Sequence, residues 1–461
     1  MDSLRASRAG GDDVNSNPVI RDAAALRVAI TTLGCKVNRY DTAVIEQRID
    51  ERGWTRVKFE EEADAYVVNS CTVTDRADRD ARSLARRARR QNPQGRVIMT
   101  GCYAQTSPAE VQKLAYVDYV VGLGRVDDLL DAVAGELQAR TAVSDLRQAK
   151  EVTTVGISSF PGRSRAFVKV QEGCDLFCTF CIVPVARGRS RSVEARQVLD
   201  EIERLSARGY REVVLTGVHL GGYGADLDPP RDLAWLLECI ADRAPAVRVR
   251  VSSVDPPEVT DRLLDVMADS KQFCPHLHVP LQSADDGVLE RMRRRYKSED
   301  AIAAIERIRR RLGDDAAIGT DIVTGFPEES VQEFDTTQAR LRDLALSYLH
   351  VFPYSVRSST SAAKRWKALP DAEVHGRSHR LRELDSELRA NYRRRFVGRH
   401  ASVLLEGTRD SATGRWTGHS EHYVAIACET PFADAGEDLR GRLVPVRIDG
   451  DNGTTLLGVA S

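Results

Sequence analysis

Gly173-Cys174-Asp175-Leu176-Phe177-Cys178-Thr179-Phe180-Cys181 sets three thiols at CxxxCxxC spacing. Thiolates so placed can hold three corners of a cubic iron-sulfur cluster and leave its fourth iron open. An open iron can chelate a small molecule and pass it an electron, whereas a purely electron-carrying cluster is normally closed by four protein ligands. A zinc knuckle is the competing reading. Such sites use four ligands in paired CxxC or Cys/His sets, and no fourth Cys or His lies in the thirty positions after Cys181, which favours the open cluster.

The thiol loop follows the first of about six strand and helix units. Short apolar runs predict strands over 166–171, 212–216, 247–252, 276–280, 316–323 and 347–352, with amphipathic or turn-rich sequence between them. After the first, Ser192 is the expected N-cap, Glu194 stands in the first turn, and Val198, Leu199, Ile202 and Leu205 recur at helical spacing. Such a series predicts a partial (β/α) barrel over 165–395. The loops after its strands, among them Ser252-Ser253-Val254-Asp255-Pro256, Pro280-Leu281-Gln282-Ser283 and Thr324-Gly325-Phe326-Pro327, share the face where such barrels keep their active sites. Each loop taken alone reads equally well as a turn.

Upstream, residues 26–138 predict a flavodoxin-like parallel sheet, with strands over 27–31, 65–69, 96–100 and 116–121 and helices over 41–52, 76–91, 108–114 and 126–137. Cys35, Cys71 and Cys102 each fall just after one of these strands, so all three thiols emerge at the edge where ligands of open α/β sheets bind. Equivalent topological positions argue against coincidence and for a second three-thiolate cluster, again with one iron free for an exogenous sulfur or another small ligand. Residues 139–164 are polar and weakly patterned and read as a linker. From 396 to 461, alternating runs at 401–405, 423–428, 443–448 and 454–459 predict a small all-β barrel. Arg399, Arg409, Arg415, His419 and His422 lie around it with Trp416 and Tyr423 interleaved, a composition that suits RNA.

The 461 residues are 42% hydrophobic and 29% charged, with a net charge of −1, as in an ordinary globular protein of several domains. No apolar stretch approaches the roughly 20 residues of a membrane span. Residues 1–25 read as a flexible polar tail without the apolar core of a signal peptide, so a cytoplasmic protein without a membrane partner is expected. In that reducing compartment nine cysteines favour metal or catalytic use over disulfides. Arginines crowd 82–90, 291–295 and 393–395, as solvated helix faces or an RNA surface. Cys239 and Cys428 sit in apolar runs and read as core, and Cys274 has no evident partner. His276 and His278 alternate on a strand, as hydrogen-bonded core residues or proton carriers.

Several of these segments together resemble the radical S-adenosylmethionine methylthiotransferases over almost the whole chain. They are the CxxxCxxC loop, Gly188-Arg189-Ser190-Arg191-Ser192, His276-Leu277-His278-Val279-Pro280-Leu281-Gln282-Ser283 and Gly319-Thr320-Asp321-Ile322-Val323-Thr324-Gly325-Phe326-Pro327, with a three-cysteine domain before and a β-barrel after. Within that family, Thr32-Leu33-Gly34-Cys35-Lys36-Val37-Asn38 is similar to the branch that modifies threonylcarbamoyladenosine in tRNA. Ala284 and Glu328 depart from the pattern, since glycine is common at both places.

The resemblance implies two [4Fe-4S] clusters, one on Cys174, Cys178 and Cys181 and one on Cys35, Cys71 and Cys102. S-adenosyl-L-methionine would be chelated at the open iron of the first and cleaved by one electron to a 5′-deoxyadenosyl radical. The second would carry sulfur, which a second S-adenosylmethionine methylates before it enters carbon 2 of the adenine at position 37 of tRNA. Radical chemistry suits this task, because an unactivated aromatic C–H is far too weak an acid for ordinary substitution. Phe180, Ser253, Gln282 and Asp321 are then expected cofactor contacts, and Arg187 and Arg189 expected contacts to phosphates of the anticodon stem-loop. The last barrel would be TRAM-like, and an electron donor and a sulfur donor would be further partners. The same chemistry on isopentenyladenosine in tRNA or on a ribosomal-protein aspartate is the alternative, as is a non-catalytic metal-binding RNA-binding protein. The oligomeric state is left open.

Overall fold

The alternating runs fold into two parallel α/β units and a closed β-barrel in a computed structural model that describes residues 26–460 apart from 153–155, 244–246, 412 and 432–436. The polar tail expected over 1–25 lies outside the described residues. The first unit contains β1 (Arg27–Thr32), β2 (Thr55–Val57), β3 (Ala65–Ser70), β4 (Arg96–Thr100), β5 (Tyr119–Val121) and β6 (Thr141–Ala142). They pair in parallel in the order β2-β1-β3-β4-β5-β6, which puts the switch in connection between β1 and β3. All six residues of β3 are buried, as a central strand covered on both faces requires. The helix Asp75–Gln91 lays Ala81, Ala85 and Ala88 against the sheet, and the Thr74 side chain caps it by accepting from the Ala77 N–H at 3.2 Å.

Three sequence expectations shift here. The helix expected from 41 is Lys36–Glu51, with Cys35 as its N-cap. The strand expected from 116 starts at Tyr119, because Val117 closes a turn by donating to the Leu114 carbonyl. The segment read as a linker contributes β6 to the sheet edge and a 3₁₀ turn, Leu146–Gln148, whose Leu146 packs against the cluster of Cys102, Leu123 and Ala186. A strand of two residues is too short to display an alternation.

The second unit contains β7 (Ala166–Lys169), β8 (Gln171–Glu172), β9 (Arg191–Ser192), β10 (Glu212–Thr216), β11 (Arg248–Val251), β12 (His276–His278), β13 (Ala317–Thr324) and β14 (Tyr348–Pro353). Strands β11-β10-β7 and β12-β13-β14 form two parallel sheets, joined by single bridges from Val249 to Phe273 and from Ser253 to His278. The result is the expected partial barrel of six strands, open between β7 and β14. Ser192 is not the N-cap of the next helix. It pairs with Gln171 in a two-residue hairpin ladder and its hydroxyl donates to Asp226 at 2.6 Å, while Glu194 caps Ala195–Ala207. Glu328 adopts φ +60, a left-handed conformation that accounts for glycine being usual at such a turn.

Strands β15 (His400–Arg409), β16 (Trp416–Ser420), β17 (Ala425–Glu429), β18 (Leu443–Asp451) and β19 (Leu456–Ala460) close the third unit in the order β15-β16-β17-β19-β18. Its aromatic residues are not an RNA platform. Trp416 is buried in the barrel core, and the Tyr423 ring packs 4.7 Å from His276 and under Arg250 at 5.0 Å, turned toward the central unit. The docking is ionic. Glu212 is fully buried between Arg248 (2.5 Å) and Arg250 (3.1 Å), whose remaining N–H groups donate to carbonyls of Ser402, Ser420 and Glu421 on the barrel.

Burial pushes the Glu212 carboxyl up, but Arg250, Arg248 and Arg165 outweigh it and hold it at about 2. Its contribution to stability is therefore complete above the free value of 4.5 and is lost as pH falls toward 2. Glu212→Ala leaves two buried guanidinium groups uncompensated, and denaturant unfolding at neutral pH should show a loss of about 3–5 kcal/mol.

Candidate active site

Cys35, Cys71 and Cys102 stand at the ends of three adjacent strands. Cys35 is the N-cap of Lys36–Glu51, Cys71 directly follows β3, and Cys102 lies in the first turn of Gly101–Thr106 after β4. Free N–H groups at a helix start favour a thiolate. Gly34 has φ +97, and a Cβ there would meet the Cys71 Cβ at 2.8 Å and its Sγ at 2.9 Å, so only glycine lets these two loops touch.

The CxxxCxxC loop is folded back on itself by Gly173, whose φ is +73 and whose missing Cβ would lie 1.9 Å from the Arg189 carbonyl oxygen. Each of its sulfurs faces a donor. The Leu176 N–H lies 3.5 Å from Cys174 Sγ, the Val183 N–H 3.4 Å from Cys181 Sγ, and Arg294 Nη1 3.3 Å from Cys178 Sγ. Arg294 is itself anchored by Asp255 at 2.7 Å. Burial pushes the thiols up, to about 11 for Cys174 and about 12 for Cys181 and Cys102. Such groups give up their protons against a strong local positive charge, as a bound metal centre supplies.

Neither trio is gathered like the ligands of a single ion. Among the described residues the group of three metal-capable side chains with ligand atoms all within 4.8 Å is His278, Asp321 and His350. A tetrahedral zinc with bonds of about 2.3 Å would draw its sulfurs to about 3.8 Å. The wider setting of the thiols, with donors on the sulfurs, fits an iron-sulfur cube.

The two thiol edges are seated against each other. Lys36, beside Cys35, donates to Ser252 Oγ at 3.0 Å at the mouth of the central barrel. Arg187, in the helix that follows Cys181, donates to Asn38 Oδ1 (2.5 Å), Asp41 (2.9 Å) and Glu172 (2.6 Å), and Lys169 pairs with Asp41 (3.1 Å) and Glu172 (2.9 Å). Asn38 Oδ1 also faces Cys102 Sγ at 3.7 Å. Arg357 closes the other side by donating to Thr72 and Asp78, both at 2.7 Å. A cavity of about 180 Å³ lies at this junction, lined by Asn69, Thr100, Arg187 and Lys169, and another of about 220 Å³ adjoins Cys178, His219, Asp255 and Arg294.

Arg187 is thus not a phosphate contact. It is buried and wholly engaged by the junction, whereas Arg189 is 60% exposed beside Asp175 and over the Phe177 ring. Ser253, Gln282 and Asp321 converge on the barrel mouth: Ser253 bridges to His278, His278 Nε2 lies 2.9 Å from Asp321, and the Gln282 N–H donates to the Asp321 carbonyl at 2.8 Å. Burial opposes the charge on Asp321, yet His278 and His350 keep its carboxyl far below the usual range. Phe180 stands apart, edge-on to Phe326 at 6.4 Å. Lys36 and Asn38 stand in the branch motif quoted from the sequence, but their contacts across the junction are not legible there; His350 carries no local signal, and Arg294 is hidden inside an exposed-looking basic run.

Residues 27–122 match the family described as Uncharacterized protein family UPF0004, and residues 168–341 match the Radical SAM superfamily. Threonylcarbamoyladenosine tRNA methylthiotransferase MtaB of Bacillus subtilis (strain 168) is 38% identical over 91% of this chain and 93% of its own. The chain belongs to the radical S-adenosylmethionine methylthiotransferases. MtaB of Aquifex aeolicus (strain VF5) is 37% identical to this methylthiotransferase over 82% of the chain and 93% of its own, and a tRNA-2-methylthio-N(6)-dimethylallyladenosine synthase of Clostridium botulinum (strain Okra / Type B1) is 29% identical over 93% and 96%. The radical S-adenosylmethionine methyltransferase TsrM of Kitasatospora setae, solved with cobalamin and a [4Fe-4S] cluster, shares the fold at a TM-score of 0.54 and 15% identity, over 74% of this chain and 77% of that one. A [4Fe-4S] cluster and S-adenosylmethionine accompany the superfamily, and no helix among the described residues of this methylthiotransferase is long and apolar enough to cross a membrane.

Gly34→Ala should displace Cys71 and lower the iron bound after anaerobic reconstitution by about half. Gly53→Ala is the matched control, because Gly53 has φ +72 but nothing within 4 Å of its missing Cβ; iron analysis of both variants measures the difference.

Proposed function

We propose that this methylthiotransferase places a methylthio group on carbon 2 of threonylcarbamoyladenosine at position 37 of tRNA. One [4Fe-4S] cluster is held by Cys174, Cys178 and Cys181, and a second by Cys35, Cys71 and Cys102. The observation that carries the reading is the seating of the three-thiol sheet edge on the barrel mouth, through Lys36 to Ser252 and through Asn38 and Asp41 to Arg187. A reaction that draws on two centres needs them fixed relative to one another, since positioning supplies much of the rate. When bound, the clusters and S-adenosylmethionine supply the one-electron chemistry that an aromatic C–H demands.

The protein's residues hold and orient. Arg294 and the N–H groups of Leu176 and Val183 stabilise the thiolates of the first trio, a lever that raises cluster potential. Ser253, Gln282 and Asp321 at the mouth, with Phe180 beside the loop, are the candidate cofactor contacts. Arg189 remains a candidate phosphate contact in the anticodon stem-loop, and the closed barrel is read as TRAM-like. A one-electron donor and a sulfur donor complete the reaction, in the cytoplasm. The choice of nucleoside is supported by the relatives, 32–38% identical for those named for threonylcarbamoyladenosine against 29% for the dimethylallyladenosine synthase.

Mass spectrometry of tRNA nucleosides tests this. A strain lacking the protein should lose methylthiolated threonylcarbamoyladenosine and accumulate its unmodified precursor, and the native chain but not Cys178→Ala should restore it. An unchanged level removes the substrate assignment.

A further inference from the structure

Most cations of the junction are buried and held by carboxylates, and Arg191 is taken up by the carbonyls of Leu146, Ala149 and Arg187. Lys169 and Arg187 share Asp41 and Glu172, Arg250 holds Glu212, Arg294 holds Asp255 and Arg357 holds Asp78. Lys36 makes no ion pair among the described residues; its ammonium has the neutral hydroxyl of Ser252 at 3.0 Å. An ammonium carries three donors, so capacity remains for an anionic acceptor. Arg250 and Arg165 lie in electrostatic range and repel it, and Asp321, the nearby carboxylate, is already clasped by His278 and His350.

Its place in the fold is as informative as its charge. Lys36 follows Cys35 at the first thiol edge and reaches Ser252, whose neighbour Ser253 bridges to His278, which in turn meets Asp321. The surface where the thiol edge meets the barrel mouth is therefore polar, made by Lys36, Ser252, Ser253, His278, Asp321 and His350. The carbon that receives sulfur must stand between the two thiol trios. In adenine, carbon 2 and the carbon bearing N6 flank the same ring nitrogen, so an N6 substituent projects beside the reacting carbon. A prenyl group there would strand polar groups without partners, whereas a threonylcarbamoyl group offers a carboxylate and hydrogen-bonding atoms.

We infer that Lys36 is a specificity-determining residue whose ammonium pairs with the carboxylate of the substrate's threonylcarbamoyl group. This rests on the nucleoside assigned under Proposed function and goes further, by naming the side chain that reads it and the atom that is read.

The test uses the reconstituted full chain and three labelled anticodon stem-loop RNAs, carrying threonylcarbamoyladenosine, its carboxylate methyl ester or dimethylallyladenosine. Binding is read by fluorescence anisotropy at fixed salt without reductant. The native protein should bind the acid about tenfold or more tightly than the ester, the range of a charge-assisted hydrogen bond. Lys36→Met should abolish the preference for the acid, read as the ratio of acid to ester affinity, and Lys36→Arg should recover part of that preference. Equal binding of acid and ester by the native protein overturns the inference and needs no variant. So does a Lys36→Met protein that weakens both RNAs alike or loses iron, which would make Lys36 a counter-charge to the adjacent thiolates. Turnover of the native protein separates the two claims. Methylthiolation of the acid RNA without discrimination against the ester sinks only the role of Lys36, while methylthiolation of the dimethylallyl RNA alone sinks both.

Discussion

The junction depends on one balanced, buried set of charges, Lys169 and Arg187 against Asp41 and Glu172. Burial pushes the Glu172 carboxyl up, but Arg187 and Lys169 hold it at about 2, so the set stays ionised at any neutral pH. A buried pair of this kind adds little net stability, because desolvation offsets most of the attraction. Its effect is on geometry. Removing any member leaves an uncompensated charge in a low-dielectric interior, so the set tolerates one arrangement of the two units and penalises others. Asp41 belongs to the helix that starts at Cys35 and Arg187 to the helix that follows Cys181. Each of these two charges is thereby tied through a short rigid element to a thiol trio, and the ion set fixes the register of the two trios.

How much of this is legible in sequence follows from the range of the interactions. The placement of the six cysteines is legible because loop spacing and strand ends are local properties, and parallel topology does the remaining work of bringing Cys35, Cys71 and Cys102 to one edge. Arg187 is misread for the opposite reason: Asp41 is 146 positions away in the chain, and an arginine seen without its partner defaults to the surface. Arg294 escapes notice in the same way, since its neighbours Arg293 and Arg295 are exposed and it alone turns inward to Cys178 and Asp255. Ser192 has the chemistry of a cap, but its hydroxyl is engaged by Asp226 and Gly224 in the loop after β10. Local preference yields there to a tertiary contact.

The C-terminal barrel shows the same limit on a larger scale. An alternation of apolar and polar residues predicts its strands, yet gives no sign of which face meets the rest of the protein. Tyr423 adopts φ +59 and projects its ring onto His276 and Arg250, and His419 stacks on that ring at 5.1 Å. Aromatic side chains that look suited to stacking on bases are used to stopper the central barrel from below. The unit does present exposed arginines that could meet RNA phosphates, among them Arg399 and Arg447, at 52% and 60% exposure. Such contacts would position a backbone and would not read its sequence.

The two thiol trios share a further feature that bears on how they coexist. Each has a buried guanidinium within reach of one sulfur, Arg294 at Cys178 and Arg187 beside Cys102, and each guanidinium is fixed by carboxylates that belong to the surrounding fold. Three thiolates gathered at each edge would repel strongly, because the interaction scales inversely with a dielectric well below that of water. Lone arginines placed there would overcorrect, and freely solvated ones would not stay. An arginine held by a carboxylate presents a positive end toward the sulfur and keeps its compensation behind it, which lowers the repulsion without leaving a net buried charge. The barrel mouth and the sheet edge arrive at this solution separately, from residues on different elements, so each thiol trio carries its own compensated positive charge.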